Sequence, residues 1–346
     1  MKISSFFFAL FSLIAVIYIL EIGQGLILPF FIALLLWVHI KVLSSYISKI
    51  PLIKRNLHPV ILNFFSLIII SYFLYVIIRF LALNISELID KIPDYENNIT
   101  ILLENIKKQY NIDLTGKIKN YVNDFNIANF FTLIFNSLYS LFSDVFIIFL
   151  YTIFLILEDA VFIKKLRAIF EDTEKYERTR AMIDQLSRAI YNYFSLKTLV
   201  CLTSGIVNWI ILSIIGLEFA FFVAFLVFLL NYIPTIGTLT AVIIPCMFTL
   251  LQFNDFTLFF IIFAIIGGFQ VFLGNFLEPK IMGHSLNISP LIVIITLLFW
   301  GSIWGILGMI LSVPITVMLI IIFAQFRQTR SIAILLSEKG TINTFG

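Results

Sequence analysis

Long apolar runs alternate with short charged segments along almost the entire chain. A helix rises about 1.5 Å per residue, so crossing a hydrocarbon core of about 30 Å takes roughly 20 residues. The apolar runs that fit helices are 5–22, 25–43, 60–83, 134–162, 198–216, 219–233, 238–252, 256–275, 287–300 and 303–325. Three of them (219–233, 238–252 and 287–300) are too short to span comfortably, which predicts broken or re-entrant helices in the C-terminal half.

The charged segments between the runs predict the orientation of the chain. Lys and Arg concentrate in 41–58, in 164–188 and in the C-terminal tail. Basic residues beside spans favour the cytoplasmic side of a membrane. If 60–83 and 134–162 each cross once, all three basic segments and both termini lie in the cytoplasm, and 84–130 lies outside.

The outer segment 84–130 has apolar residues at helical spacing: Ile85, Leu88, Ile89 and Ile92, then Ile99, Leu102, Leu103 and Ile106. This spacing predicts an amphipathic helical insert at the membrane surface. Such an insert is either a gate or vestibule for transport, or a passive packed connector. The predicted segments are N-terminal spans in 1–83, the insert in 84–130, a fourth span in 131–163, a basic linker helix in 164–197, a core in 198–326 and a tail in 327–346.

Composition agrees with a chain surrounded by lipid. Of the 346 residues, 61% are apolar and 12% are charged, whereas soluble domains carry about 25% charged residues. The net charge of +3 gives no indication of nucleic-acid binding. Cys201 and Cys246 lie in apolar stretches, which favours buried packing over a disulfide. The three histidines have no ligand-like spacing, and no nucleotide-binding or catalytic motif occurs, so we predict neither an enzyme nor a metal or cofactor site.

The first candidate for function is the stretch from Asn231 to Gly237, which contains Pro234 and Thr235. Proline removes a backbone donor and disfavours helix at the preceding residue, while glycine permits a turn. Together they predict a helix that breaks at membrane depth. Broken backbone survives there only where protein buries it or where it lines a polar cavity, an arrangement that transporters use to bind polar substrates. A simple proline kink is the alternative.

A second polar stretch has the same ingredients, and its candidate residues are Gln270, Asn275, Glu278, Pro279, Lys280 and Gly283. Glu278 and Lys280 are the only charged residues between 256 and 326. Facing the protein interior, they would bind a polar substrate or carry a proton. Facing the cytoplasmic surface, they would be ordinary interfacial residues.

The third feature is a set of small and kink-forming residues: Gly301, Gly305, Gly308 and Pro314. The glycines share one helical face, which predicts close packing against another helix. Alternatively, Gly301 and Ser302 form the tip of a hairpin whose arms are 287–300 and 303–325.

At these residues the sequence resembles the autoinducer-2 exporter family. The similarity is carried by Asn231-Tyr-Ile-Pro-Thr-Ile-Gly237, by Asn275-x-x-Glu-Pro-Lys-Ile-x-Gly283 and by Gly301-x-x-x-Gly305-x-x-Gly308 followed by Pro314. The resemblance covers essentially the whole chain. It implies an all-α polytopic membrane protein of about eight spans that forms homo-oligomers and transports a small solute.

The leading hypothesis is a secondary transporter that exports a small polar solute, similar to autoinducer-2, across the cytoplasmic membrane. The resemblance also leaves a sodium/proton antiporter open. For that function the candidate carboxylates are Glu218, Asp255, Glu278 and Asp144. A non-transporting membrane scaffold, with 84–130 as its partner surface, is the hypothesis from another class.

Overall fold

The protein is helical throughout the part that the computed structural model describes, which is residues 3–50, 58–110, 144–282, 287–338 and 340. The helices are α1 (Ile3–Ile22), α2 (Gln24–Ile47), α3 (Pro59–Tyr110), α4 (Val145–Ile169), α5 (Thr173–Ile214), α6 (Ala220–Leu230), α7 (Ile236–Phe253), α8 (Phe256–Phe272), α9 (Glu278–Met282), α10 (Pro290–Gln325) and α11 (Arg330–Leu336). A π-helical segment, Leu273–Leu277, joins α8 to α9.

Six helical stretches in these described ranges are long and apolar enough to cross a membrane: α2, α3 up to Leu102, α5, α7, α8 continued to Ile281, and α10. A bent pair within α4, Val145–Asp159 and Val161–Ile169 at 62°, raises the number to as many as seven. The predicted class, an all-α polytopic membrane protein, is confirmed. The count of about eight spans stays a prediction.

α3 is longer than the sequence pattern suggested, because it runs for 52 residues without interruption and passes through Pro93. The predicted span 60–83 and the first part of the predicted insert therefore form one helix. Its buried residues continue at helical spacing across the expected boundary: Leu81, Ile85, Leu88, Ile92 and Tyr95. One packed face extends along both parts, and this face explains why the helix does not end at residue 83. Residues 111–130 of the predicted insert lie outside the described residues.

The chain divides into two compact units. The first contains Met1–Phe73, Leu141–Tyr191 and Asn287–Gly346, and the second contains Leu74–Ser140 and Asn192–Leu286. In the first unit α2 packs against α4: the Phe30 and Tyr151 rings meet edge to face at 5.8 Å, and Lys41 pairs with Asp159 at 2.7 Å.

Within the first unit, α10 reverses direction at Trp304 and Gly305, whose backbone is not helical. Gly305 has φ +59°, which an L side chain rarely adopts. A Cβ atom on Gly308 would overlap the carbonyl of Trp300. In a continuous helix these residues would lie about 12 Å apart along the axis. α10 is thus a helical hairpin, as the sequence allowed, with its tip at 304–305 instead of 301–302.

Candidate functional site

The second unit contains a helix break where the sequence predicted one. α6 ends at Leu230 and α7 begins at Ile236. Between them Thr235 takes φ +61°, in the left-handed region of backbone space. Pro234 precedes it and cannot donate a backbone hydrogen bond. These bounds confirm that the helix is broken here, while the depth of the break in a membrane stays a prediction.

Gly237 is required by the close approach of the two arms at this break. A Cβ atom on Gly237 would overlap the carbonyl oxygen of Leu230 and lie 2.8 Å from the Cα atom of Asn231. The Gly237 amide donates to the Ile233 carbonyl at 2.9 Å, which closes the turn. Any larger residue would push the arms apart.

Both ends of the α6–α7 pair meet at the C-terminal end of α5. The Gln252 amide donates to the Gly216 carbonyl at 3.1 Å and accepts from the Glu218 backbone N–H at 2.9 Å. α6 has only 11 residues, about 16 Å of helix, too few to cross a hydrocarbon core of about 30 Å. The two helices form a hairpin whose ends lie together and whose tip is Asn231–Thr235, which is the arrangement expected of a re-entrant segment.

A buried polar cluster surrounds this tip, and its centre is Ser204 on α5. The Ser204 Oγ accepts from Asn231 Nδ2 at 2.6 Å and from Gln270 Nε2 at 2.7 Å. Asn208, one turn along α5, donates to the Ser204 backbone carbonyl at 2.9 Å. All four side chains are buried. Three separate helical elements therefore contribute to one polar layer.

The cluster has hydrogen-bonding capacity that the described residues do not use. Gln270 Oε1 and Asn208 Oδ1 are buried without a partner. The two amides occupy the acceptor positions of Ser204 Oγ, which leaves its hydroxyl hydrogen free to donate. Exchanging the oxygen and nitrogen of an amide would only move the deficit to a different buried atom. Burying a polar atom without a hydrogen-bond partner destabilises the folded protein by about 1–3 kcal/mol, so these unpaired atoms indicate that the cluster binds a polar ligand.

Ser204 and Asn208 are functional candidates that the sequence pattern did not single out. Both belong to a stripe on one face of α5 that also contains Lys197 and Cys201. These residues are spaced three or four apart and are all buried. Polar residues at helical spacing inside an apolar run are the signal that could have found them. The other cysteine, Cys246 on α7, is buried as well, so both cysteines are free and buried, as predicted.

Glu278 and Lys280, which the sequence could not separate, lie in different environments. The Glu278 carboxylate pairs with the Lys197 ammonium group at 2.5 Å, with exposed side-chain fractions of 23% and 6% respectively. Lys280 is exposed. Glu278 therefore faces the interior, and Lys280 faces outward.

The polar stretch around Glu278 is interrupted by a π-helical turn instead of a gap. The segment Leu273–Leu277 widens the helix before Glu278, and such turns are frequent at functional sites. Asn275, within it, and Pro279, after it, are exposed and do not join the Ser204 cluster. Gly283 lies outside the described residues. Of the predicted residues in this stretch, Gln270 alone contacts Ser204.

The other carboxylates considered for antiport have local roles. Asp255 caps α8 by accepting from the Thr257 N–H at 2.7 Å. Glu218 lies 3.5 Å from Lys91, and both side chains are about half exposed. Asp144 precedes α4, and its backbone carbonyl accepts from Ile148. Among these four residues, Glu278 is the carboxylate with a buried cationic partner.

The glycines predicted to pack helices divide into two kinds. Gly308 permits the close approach described above, and Gly301 lies against the Met309 side chain. Gly305 differs from the expectation, because its positive φ places it in the turn and not on a helix face. Pro314 is buried inside the second arm of α10.

Repeated apolar helices, a broken helical hairpin and a buried polar cluster at its tip are features of membrane transport proteins. The sequence matches the family described as "AI-2E family transporter" over residues 6–328, and the chain belongs to this family. It is 29% identical to the protein named "AI-2 transport protein TqsA" of Escherichia coli (strain K12), over 92% of this chain and 91% of that protein.

Two further relatives carry more general names. A "Putative transport protein" of Borreliella burgdorferi is 30% identical over 73% of this chain and 70% of its own length. A "Putative transport protein" of Haemophilus influenzae is 29% identical over 95% of this chain and 96% of its own length. The family and these names support a role in transport across a membrane.

Proposed function

We propose that the protein is a secondary transporter or facilitator that exports a small, hydroxyl-rich polar solute across the cytoplasmic membrane. The observation that carries the proposal is the unused hydrogen-bonding capacity at the hairpin tip. Gln270 Oε1 and Asn208 Oδ1 offer two acceptors beside the hydroxyl hydrogen of Ser204. A hydroxyl group both donates and accepts, so a polyhydroxylated molecule complements this mixture.

The same chemistry disfavours a bare cation at this position. Sodium ions prefer a shell of several oxygen atoms, but the cluster offers two unused amide oxygens beside a hydroxyl whose lone pairs already accept from N–H donors. The cluster also lacks a carboxylate. The name of the Escherichia coli relative adds autoinducer-2 to the solutes that merit a test.

Sodium/proton antiport is the second candidate, and Glu278 is the observation in its favour. An antiporter needs a carboxylate at membrane depth that accepts either cation, and Glu278 is partly buried. Its ion pair with Lys197 would have to open in each cycle. Replacing Glu278 with Gln should abolish antiport in a pH-sensitive dye assay, whereas export of a neutral solute does not require the charge.

We further propose that both termini lie in the cytoplasm and that the protein forms homo-oligomers. The orientation is supported by the basic segments 41–58 and 164–188. A non-transporting scaffold would instead require the segment 84–130 for activity and would tolerate substitutions in the broken helices.

The test is solute flux in vesicles that contain the purified protein, with and without a proton or sodium gradient. The probes are autoinducer-2, neutral polyols, a hexose and radioactive sodium. We expect Ser204→Ala to lower the initial rate for a hydroxylated probe about tenfold or more, since tenfold corresponds to about 1.4 kcal/mol. Ser312→Ala is the matched control, because Ser312 is equally buried in the first unit and bonds to the Met309 carbonyl at 2.7 Å.

Two outcomes would contradict the proposal. In one, Ser204→Ala transports at the rate of the unmodified protein. In the other, no hydroxylated probe moves faster than in protein-free vesicles while sodium does, which would favour the antiporter.

A further inference from the structure

The buried ion pair of the second unit lies at one end of the polar stripe on α5. Lys197 is two helical turns before Ser204, about 10 Å along the axis. Its partner Glu278 follows the π-helical turn after α8. α5 and α8 run antiparallel, because Ser204 meets Gln270 while the earlier Lys197 meets the later Glu278. The pair therefore joins α5 to the helical continuation of α8, about two turns of α5 away from the polar cluster.

The side chains one turn before and one turn after Lys197 on the same face of α5 are also buried. Tyr193 lies one turn before Lys197 on the same face and is buried. Cys201 lies one turn after Lys197, between the pair and Ser204, and is completely buried. Along this face, Tyr193 and Lys197 therefore lie between the beginning of α5 and the buried residues Cys201 and Ser204.

We propose that Lys197 and Glu278 form a gate that closes the Ser204 cluster from the N-terminal side of α5. This inference rests on the proposed function, because it assigns the residues that control access to that site. A buried ion pair is weak evidence for stability, since the cost of removing two charges from water rivals their attraction. Two opposite charges held across separate helices can part when water reaches both, and then each is hydrated. Such a contact suits a position that alternates between closed and open.

The native cysteines allow the gate to be tested without knowledge of the solute. In a Cys246→Ala protein the remaining thiol, Cys201, lies directly behind the proposed gate. The rate of its reaction with a charged, membrane-impermeant methanethiosulfonate is measured in lipid nanodiscs, where both membrane faces are accessible. We expect slow modification while Lys197 and Glu278 are both intact. The rate should be about tenfold higher or more in Glu278→Gln and Lys197→Met, because the open state becomes more populated.

Two controls separate a gate from a general loosening of the protein. Lys280→Met removes an exposed lysine two residues from Glu278 and should leave the Cys201 rate unchanged. In a Cys201→Ala background, Cys246 on α7 should stay unreactive in Glu278→Gln. The exchange Lys197→Glu with Glu278→Lys restores opposite charges and should return the Cys201 rate to within about threefold of the original.

The proposal is overturned if Cys201 stays slow in both single variants, or if Cys246 accelerates equally. It is also overturned if the charge exchange reacts as fast as the single variants. Because thiol reactivity requires no transported solute, a failed gate and a failed transport assignment give different results. Selective acceleration of Cys201 without flux of any probe would support the gate and count against the solute class alone.

Discussion

The hairpin α6–α7 in the second unit and the hairpin α10 in the first reverse direction by similar means. Each has a residue of positive φ at its tip, Thr235 at +61° and Gly305 at +59°. Each also has a glycine, Gly237 or Gly308, on which a Cβ atom would overlap a backbone carbonyl of the opposite arm. The backbone of the two tips is thus equally constrained.

The side chains around the two tips are of opposite character. At the α6–α7 tip, Asn231 reaches Ser204 in a buried layer with unused acceptors. At the α10 tip, the Trp300 and Trp304 rings lie 4.8 Å apart, and the Trp304 indole donates to the Leu20 carbonyl at 3.1 Å. A broken helix alone therefore does not define a binding site. The polar neighbours that remain incompletely bonded distinguish the first tip from the second.

The largest expected effect tests what the hairpins share. Gly237→Ala and Gly308→Ala should each lower the free energy of unfolding by about 3 kcal/mol, because the added methyl group overlaps fixed backbone. Gly267→Ala is the control, since its Cβ would meet only Val242 Cγ1 at 3.8 Å. Denaturant unfolding in detergent measures all three. Equal stability of the three variants would contradict the conclusion that both hairpins need a glycine at the close approach of their arms.

The next effect tests what separates the hairpins. Gln270→Leu removes a buried oxygen without a partner together with one hydrogen bond, so the free energy of unfolding should change by less than about 1 kcal/mol. Solute flux in vesicles should nevertheless fall about tenfold or more. Trp304→Phe should have the opposite effect. Loss of the hydrogen bond to the Leu20 carbonyl should lower the free energy of unfolding by about 1 kcal/mol, while flux stays within about twofold of that of the unmodified protein. If both variants lost flux to the same degree, the two tips would not differ in function.

The smallest effect concerns the ion pairs at the surface of each unit. Lys91 with Glu218 in the second unit and Lys41 with Asp159 in the first are both partly exposed. Replacing Lys91 or Lys41 by Met should change the free energy of unfolding by about 0.5 kcal/mol or less, and salt should reduce the effect. Thermal unfolding at low and high ionic strength measures this. A larger, salt-independent loss for Lys91 would indicate that the base of the α6–α7 hairpin depends on this contact.

The sequence predicted the position of the first break because its cause is local. Pro234 and Gly237 restrict the backbone of their own neighbours, and Asn231 is close to them in the chain. Ser204 and Asn208 were harder to recognise, because serine and asparagine occur in many apolar helices. The importance of Ser204 depends on contacts with residues 27 and 66 positions away, and Asn208 is recognised through its bond to Ser204. Separations of that size follow from tertiary packing, which residue type alone does not reveal.

The second polar stretch shows a different limit. Asn275 and Lys280 were candidates together with Glu278, yet they are exposed. The π-helical turn at 273–277 adds a residue to the helical repeat and rotates everything after it. A pattern based on 3.6 residues per turn assigns the wrong faces beyond such a point. The continuation of α3 past residue 83 was missed because the rise in charge there suggested a surface segment, although the buried face persists.

Because α3 is one uninterrupted helix, the position of the α6–α7 tip can be expressed as a residue level along α3. Lys91 lies beside Glu218, and Phe80 packs against Phe221 and Phe225. Later residues of α3 thus meet earlier residues of the α6 segment, so the two helices run antiparallel. Asn231 is six residues beyond Phe225, which is about 9 Å along the axis of α6. Counted back from Phe80, the partner of Phe225, the same distance along α3 reaches residue 74. That level is close to the centre of the apolar run 60–83. If the run 60–83 crosses the bilayer as predicted, the Ser204 cluster lies near the bilayer midplane, where a polar molecule meets its steepest barrier in unassisted lipid and gains most from a partner.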